Sequence, residues 1–325
     1  MEFRLDETQI ELQQTVSRFF ADRFPLDSIV GREGLALDRD AWADLAALGV
    51  FALLAPEDAG GSGLGVVEGA LLFEQAGSHL VSGPLLWTVL ASAFVEGATT
   101  GAVVIGGTTA AIEAGSVVVA HAADVDAFVV ISDDAIVSYR TGDLEPPKLL
   151  EPLDPLTPVG RFVGLGAGAI VGGAEEAAVA RLRGTVLSAA ILAGVASRAL
   201  DVASAYALER RQFDVPIGSF QAVKHILADM YLRSSLAQSA AYAAAAVVHD
   251  PAGDDPVRAA ANAKLLAAEA AIDNASAAVQ ILGGMGFTWD MLPNHLLKRA
   301  WVVEHEFGTA DEHAFSLGSK LVSAS

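Results

Sequence analysis

The chain has 325 residues, of which 53% are hydrophobic and 18% charged, so it is globular rather than disordered, with room for two or three subdomains. Lys+Arg number 20 against 40 Asp+Glu, a formal net charge of -20 that argues against nucleic acid and anionic membrane as partners. There is no cysteine, which excludes disulfides and thiolate chemistry.

The N-terminus, Met1-Glu-Phe-Arg-Leu-Asp-Glu7, lacks a signal peptide's apolar core. No charge-free apolar run of bilayer-spanning length is read, and Ser239 to Val248 is alanine-rich but short. A cytoplasmic protein is therefore expected. Asp6-Glu-Thr-Gln9 has the form of a capping box, and Leu12, Val16, Phe19 and Phe20 follow as an apolar stripe. A second helix is expected from about Arg39 to Leu48, stopping at Gly49. Pro56 to Gly65 is glycine-rich. It lacks the Gly-Lys-Ser/Thr of a phosphate loop and reads as a turn between helices. Helix is expected again from Val66 to Leu90, around Ser82-Gly83-Pro84.

From about 100 to 172 the pattern changes. Ala102 to Ile105, Ser116 to Ala120, Ala127 to Ile131 and Ala135 to Tyr139 are short β-branched runs between Gly, Asp and Pro turns. They predict a small antiparallel β domain. Gly164-Leu-Gly-Ala-Gly-Ala169 has the wrong spacing for a dinucleotide loop and no βαβ setting. From Ala174 onward helices are predicted at about 175–212, 219–249, 256–282 and 292–304, with a break at Pro251 to Pro256. Long alanine-rich helices with short turns predict a four-helix bundle. The fold class is α+β, mostly α, in three parts: 1–98 helical, 99–173 a reduced β domain, 174–325 a helical bundle.

The least generic run is Tyr206 to Met230. Val215-Pro216 should end one helix, and Ser219 could cap the next, which would bury Phe220, Val223, Leu227 and Met230. The hinge carries Arg210, Arg211, Gln212 and Phe213. Two readings stand. The arginines could bind an anion, or they could satisfy the last carbonyls of the helix.

Arg210-x-Gln212-Phe213, Pro216-Ile217-x-x-Phe220-Gln221 and Ala228-Asp229-Met230 resemble the flavin motif of the acyl-CoA dehydrogenases. Gln280-Ile-Leu-Gly283-Gly284-Met-Gly-Phe287 is similar to the family's Gln-x-x-Gly-Gly-x-Gly-Phe/Tyr segment, in the same order and spacing. The resemblance implies the family's fold, helical then β then helical, with FAD as cofactor and an acyl-CoA thioester as substrate. It places Arg210, Gln212, Phe213, Gln221, Gln280, Gly283 and Gly284 on the cofactor. It also implies a glutamate base at one of two places. One corresponds to Phe307 in Glu306-Phe307-Gly308-Thr309, the other to Ser188 in Leu187 to Gly194. Neither holds a carboxylate. Glu306 is a weak catalytic candidate, because one residue on a helix is about 100° of rotation. The family's Thr-Glu-Pro, Gly-Ser-Asp and Trp-x-Thr/Ser segments are not found between Ala102 and Val171, and Trp occurs only at 42, 87, 289 and 301.

In this family one flavin lies between two subunits, and this sequence keeps the motifs that reach across from the neighbour. That resembles the smaller subunit of the α2β2 acyl-CoA dehydrogenases of actinobacterial steroid breakdown. The resemblance implies a heterotetramer with a homologous full-length subunit, which supplies the base and most of the acyl-CoA cleft. A steroid side-chain or other bulky acyl thioester is the implied substrate, as in cholesterol catabolism. Two alternatives stand beside it: a self-sufficient homo-oligomer using Glu306, and a flavin-free scaffold subunit. Glu304-His305-Glu306 with Glu312-His313 lacks a metal motif's spacing, and His225 and His295 have no convincing second ligand, so no metal is expected.

Overall fold

The computed structural model describes residues 5–34 and 37–323. Asp6 opens α1 (Glu7–Arg23) with a complete capping box, its side chain accepting from the Gln9 amide while the Gln9 side chain accepts from the Asp6 amide. Asp38 caps α2 (Arg39–Ala47), and Gly49 takes the left-handed conformation just beyond it, with φ 77°. The glycine-rich stretch is a turn. Gly61 is required there, because a Cβ would lie 1.7 Å from the carbonyl oxygen of Ala55.

Two helices form where one was expected: α3 (Val66–Ser78) and α4 (Leu85–Ala91). Between them Leu80 and Gly83 have φ of 48° and 106°, which breaks the helix, and Pro84 starts the next.

Seven strands follow: β1 (Ile105–Thr108), β2 (Val117–Ala120), β3 (Ala127–Ile131), β4 (Ile136–Arg140), β5 (Lys148–Leu150), β6 (Val159–Phe162) and β7 (Ala169–Gly172). One sheet has the order β1-β3-β4-β7 and the other β2-β6-β5. All pairs are antiparallel except β1 with β3. Phe128 stacks between Tyr139 and Phe162, with centroids 5.1 and 4.8 Å away. The first strand lies later than its β-branched run suggests. A Cβ on Gly107 would meet the Trp87 indole at 2.1 Å, so the strand runs where glycine admits that ring.

The rest is helical apart from a short hairpin: α5 (Ala174–Glu209), β8 (Arg211–Gln212), β9 (Val215–Pro216), α6 (Gln221–His249), α7 (Pro256–Leu282), α8 (Leu292–Glu304) and α9 (Ala310–Ser323). By contacts the chain forms two compact units, one of Met1–Gly31, Ala70–Val81 and Thr185–Ser325, the other of Arg32–Gly69 and Ser82–Gly184.

In the first unit small residues fill the core. Ala237, Ala241 and Ala244 on α6 and Ala260, Ala267, Ala271 and Ala278 on α7 are all buried, which lets the helix axes approach closely. Helix α3 meets α5 backbone to backbone. A Cβ on Gly77 would stand 2.0 Å from Ile191 O, and one on Gly194 would stand 1.9 Å from Glu74 O. Beside this crossing the buried Glu74 carboxylate accepts from Gln13 at 3.1 Å, from Gln238 at 2.6 Å and from Tyr242 through a short bond. Burial raises the Glu74 pKa, and those three donors oppose the rise.

Two helical stretches, Ala174–Glu209 and Pro256–Phe287, are long and apolar enough to cross a bilayer by length and composition, although neither is free of charged residues. The most apolar window of the first is 67% buried, and core helices pass the same test.

Gly194→Ala should lower unfolding stability by at least the ~1–3 kcal/mol typical of overpacking. Thermal or denaturant melts check it, and an unchanged melt would mean that α3 and α5 do not touch there.

Candidate functional site

Helix α5 stops at Glu209, six residues before Val215. The chain does not wait for Pro216, because it turns into the β8–β9 hairpin. The Arg210 amide donates to Tyr206 O at 2.8 Å, and the Ile217 amide donates to Arg210 O at 2.8 Å, closing the hairpin at its base. Phe213 and Asp214 form the tip with φ of 50° and 64°, the double left-handed signature of a tight hairpin turn. Such turns favour Asn-Gly. A phenylalanine here is strained by ~1–2 kcal/mol, and its ring is 88% exposed. Its nearest aromatic partner is Phe220, edge-on at 6.3 Å.

The two arginines have different environments. The Arg211 guanidinium donates to Asp214 O and is committed to the turn. Arg210 is exposed, with no side-chain hydrogen bond or ion pair among the described residues. So the helix-end reading does not describe its side chain. Gln212 is exposed, and its amide donates to Arg211 O at 2.9 Å. Ser219 does not cap α6: its hydroxyl donates to Pro216 O at 2.7 Å, and Phe220 occupies the N-cap position without a side-chain bond. Gln221 begins the helix and is exposed.

The second segment lies at the C-terminal end of α7. Gly283 has φ 67° and ψ -146°, a backbone region that only glycine enters freely. A Cβ on Gly283 or Gly284 would meet nothing within 4 Å, so this backbone is open to close approach. Gln280 is exposed, as are Met285 and Phe287. Gly286 is different, because a Cβ there would lie 2.7 Å from Val279 O.

Asn274 ties together the helices that carry the two segments. Its buried amide on α7 donates to Met230 O at 2.9 Å and Ser234 Oγ at 2.9 Å on α6, and to Ala196 O at 3.2 Å on α5. Helices α6 and α7 are antiparallel neighbours joined by a short loop. Continuing from Asn274 therefore carries Gln280 to Gly284 toward the first two turns of α6, next to the hairpin. The seven residues expected on the cofactor lie at one end of one helix pair.

The two expected base positions are brought together as well, by a residue that the sequence reading did not single out. Lys264 on α7 is 0% exposed. Its ammonium donates to Ser188 Oγ at 3.0 Å on α5, to Val303 O at 2.9 Å on α8, and to Glu306 O. Phe307 follows with φ 59° and is buried, and Gly308 has φ 98°. His313 on α9 lies 3.0 Å from Phe307 O through Nε2. Burial pushes the Lys264 pKa down to about 7, while the carboxylates of Glu306 and Glu304 oppose that shift. Burial also lowers the His313 pKa. Lys264 was legible as a lone charge in register with the buried Ala260, Ala267 and Ala271 of its own helix.

Among the described residues no group of three or more metal-ligating side chains comes together. His305 bonds Trp301 O at 2.8 Å, and Glu304 accepts from the Ala310 amide at 2.9 Å, so both serve the end of α8. His295 is buried against Trp289 O, and His225 is exposed. The Gly164 loop joins β6 to β7 and borders an open cavity of about 660 Å³ with Tyr139, Arg140 and Asp143.

Residues 6–101 match the acyl-CoA dehydrogenase N-terminal domain and residues 175–317 the acyl-CoA dehydrogenase C-terminal domain. The chain belongs to the acyl-CoA dehydrogenase family, whose cofactor is FAD. It is 35% identical over 284 residues to acyl-CoA dehydrogenase FadE34 of Mycobacterium tuberculosis, covering 80% of this chain but only 40% of that protein. It is 32% identical over 280 residues to acyl-CoA dehydrogenase IpdE2 of Mycolicibacterium smegmatis, covering 82% of this chain and 83% of IpdE2. The ChsE4-ChsE5 complex of M. tuberculosis has a chain of the same fold, with TM-score 0.85, 26% identity and 99% of each chain covered.

Phe213→Gly should stabilise the isolated chain by ~1 kcal/mol through relief of the left-handed strain, read as a higher melting temperature. A lower melting temperature would show that the ring packs on its own chain.

Proposed function

We propose that this chain is the flavin-completing subunit of a heteromeric acyl-CoA dehydrogenase, acting on a bulky, steroid-type CoA thioester held mainly by a homologous partner. The supporting observation is a division within one helical unit. The end of the α6–α7 pair offers an uncommitted arginine and open glycines, while positions 188 and 307 hold serine and phenylalanine. ChsE4-ChsE5, of the same fold, is a complex of two differently named chains.

The residues present fit FAD. Arg210 is free to meet its pyrophosphate with a charge-assisted hydrogen bond, stronger than one between neutral groups. Gln212 and Gln221 add donors on the same side, and Phe213 presents its ring to the flavin or its linker. Gln280, Gly283 and Gly284 let backbone and amide approach the adenosine end. When bound, FAD supplies the two-electron oxidation of the α and β carbons of the thioester. This chain positions and screens the cofactor. The partner contributes the base that removes the α proton.

The net charge of -20 gives an anionic thioester no long-range attraction, so recognition rests on local cations such as Arg210. Glu306 is the carboxylate next in sequence to a base position, and its backbone carbonyl is already bonded by Lys264.

Arg210→Ala should weaken FAD binding to the apo complex about 10- to 100-fold, the equivalent of ~1.5–3 kcal/mol for a lost charge-assisted bond. FAD titration of both complexes reads this directly, and equal affinities would remove Arg210 from the site. Glu306→Gln should leave most turnover intact in the same complex. A true general base typically contributes ~10²–10⁴-fold, so a loss of that size with unchanged flavin content would favour the self-sufficient enzyme.

A further inference from the structure

We propose that the cavity at the free edge of β4 is a second binding site, for a small molecule with an apolar body and a single carboxylate. Its lining belongs wholly to the unit of Arg32–Gly69 and Ser82–Gly184, whereas Arg210 belongs to the other. The flavin reading neither needs this cavity nor accounts for it.

The cavity exists because β7 is short. Strand β3 pairs with β4 along its whole length, from Ile136 to Arg140, but on the other side β7 pairs only as far as Ser138, opposite Ala169. At Tyr139 and Arg140 that edge has no neighbouring strand among the described residues, and the stretch from Gly164 to Ala169 borders the gap instead. Side chains alternate across a strand, so Ser138 and Arg140 belong to one face and Tyr139 to the other. The open edge lets one cavity of about 660 Å³ touch all three. That volume lies within the ~300–1,000 Å³ of small-molecule pockets.

Each of those side chains ends in a polar group without a partner among the described residues. The Arg140 guanidinium makes no ion pair, although Glu96 and Asp143 border the same cavity. The Ser138 hydroxyl makes no hydrogen bond. Tyr139 is only 9% exposed and stacked on Phe128, yet its hydroxyl bonds nothing either. A phenol buried to that degree normally has a partner. Gly168 sits against the phenol end of the ring at the cavity wall, where a Cβ would lie 2.7 Å from Tyr139 Cζ. The hydroxyl is therefore at the cavity as well, and a ligand oxygen is the acceptor it lacks.

These three donors define the head group. A guanidinium fork and two hydroxyls match the two oxygens of a carboxylate. Phe94, Leu144 and Val171 supply apolar wall for the body. Glu96 and Asp143 repel a second negative charge, so a nucleotide or other polyanion is disfavoured against a monocarboxylate.

Equilibrium dialysis tests this with decanoate, which has a flexible body, and adamantanecarboxylate, which has a rigid one. The protein is the full chain in complex with its full-length homologue, and the homologue alone gives the background from its own acyl cleft. Should the chain prove self-sufficient, its homo-oligomer is dialysed instead. A saturable site beyond that background is expected for each copy of this chain, and the tighter acid tells a flexible ligand from a rigid one. Arg140→Ala should weaken the site about 10- to 100-fold. Tyr139→Phe should weaken it about 2- to 10-fold without moving the melting temperature, because the hydroxyl has no partner to lose within the chain. Ala167→Trp, at an exposed position of the wall, should abolish binding by filling the cavity. Absence of the additional site would overturn the proposal, as would its survival in all three variants. Equal or tighter binding of decylamine would overturn it too, since Glu96 and Asp143 would then hold the head group. Flavin content should be the same in every variant, so this site and the Arg210 contact can fail separately.

Discussion

One buried amide sets the geometry of the end proposed to face the cofactor. Asn274 reaches from α7 to backbone or hydroxyl oxygens on both α5 and α6, in a core built largely of alanine. Alanine packing alone leaves two helices free to slide, because its surface is nearly uniform. A side chain with directional bonds fixes the register, because any other would take its NH2 group away from these acceptors. That register brings the Arg210 hairpin and the Gln280 turn to one end of the helix pair. The hairpin and the turn that carry the exposed residues are thereby attached to the ends of packed helices.

The same bundle treats its charged groups in two opposite ways. Lys264 and Glu74 are deep inside, each with three hydrogen-bond partners. Arg210 is left at the surface without one among the described residues, on a chain of net charge -20. Buried groups with full partners serve the fold. The proposed flavin site draws instead on an exposed cation, open glycines and a strained aromatic turn. Backbone strain at Phe213 has no packing reason within this chain, since the ring projects into solvent.

Much of this was legible in the sequence. The capping box at Asp6, the stop at Gly49 and the breaks around α7 were marked by local chemistry that tertiary structure did not override. The Arg-x-Gln-Phe and Gln-x-x-Gly-Gly spacings gave the family. Less legible was whatever depended on distant partners. Strand β1 moved to Gly106-Gly107 because of Trp87, which nothing in its own run announces. Helix α6 began at Gln221 because Ser219 bonded backward to Pro216. The split between α3 and α4 came from a left-handed Leu80, a residue type that does not advertise it. Lys264 was missed although its register with Ala260, Ala267 and Ala271 was visible, because a lone lysine among alanines was not followed onto the helix face those alanines share.

The central claim is that this chain holds flavin only with an unlike partner. The most direct measurement is the flavin absorbance per polypeptide after purification, for the chain alone and for the chain co-expressed with a full-length homologue. The account predicts a colourless or poorly soluble protein alone, and a yellow complex with one flavin per pair of unlike chains. A yellow homo-oligomer that oxidises an acyl-CoA by itself would contradict it.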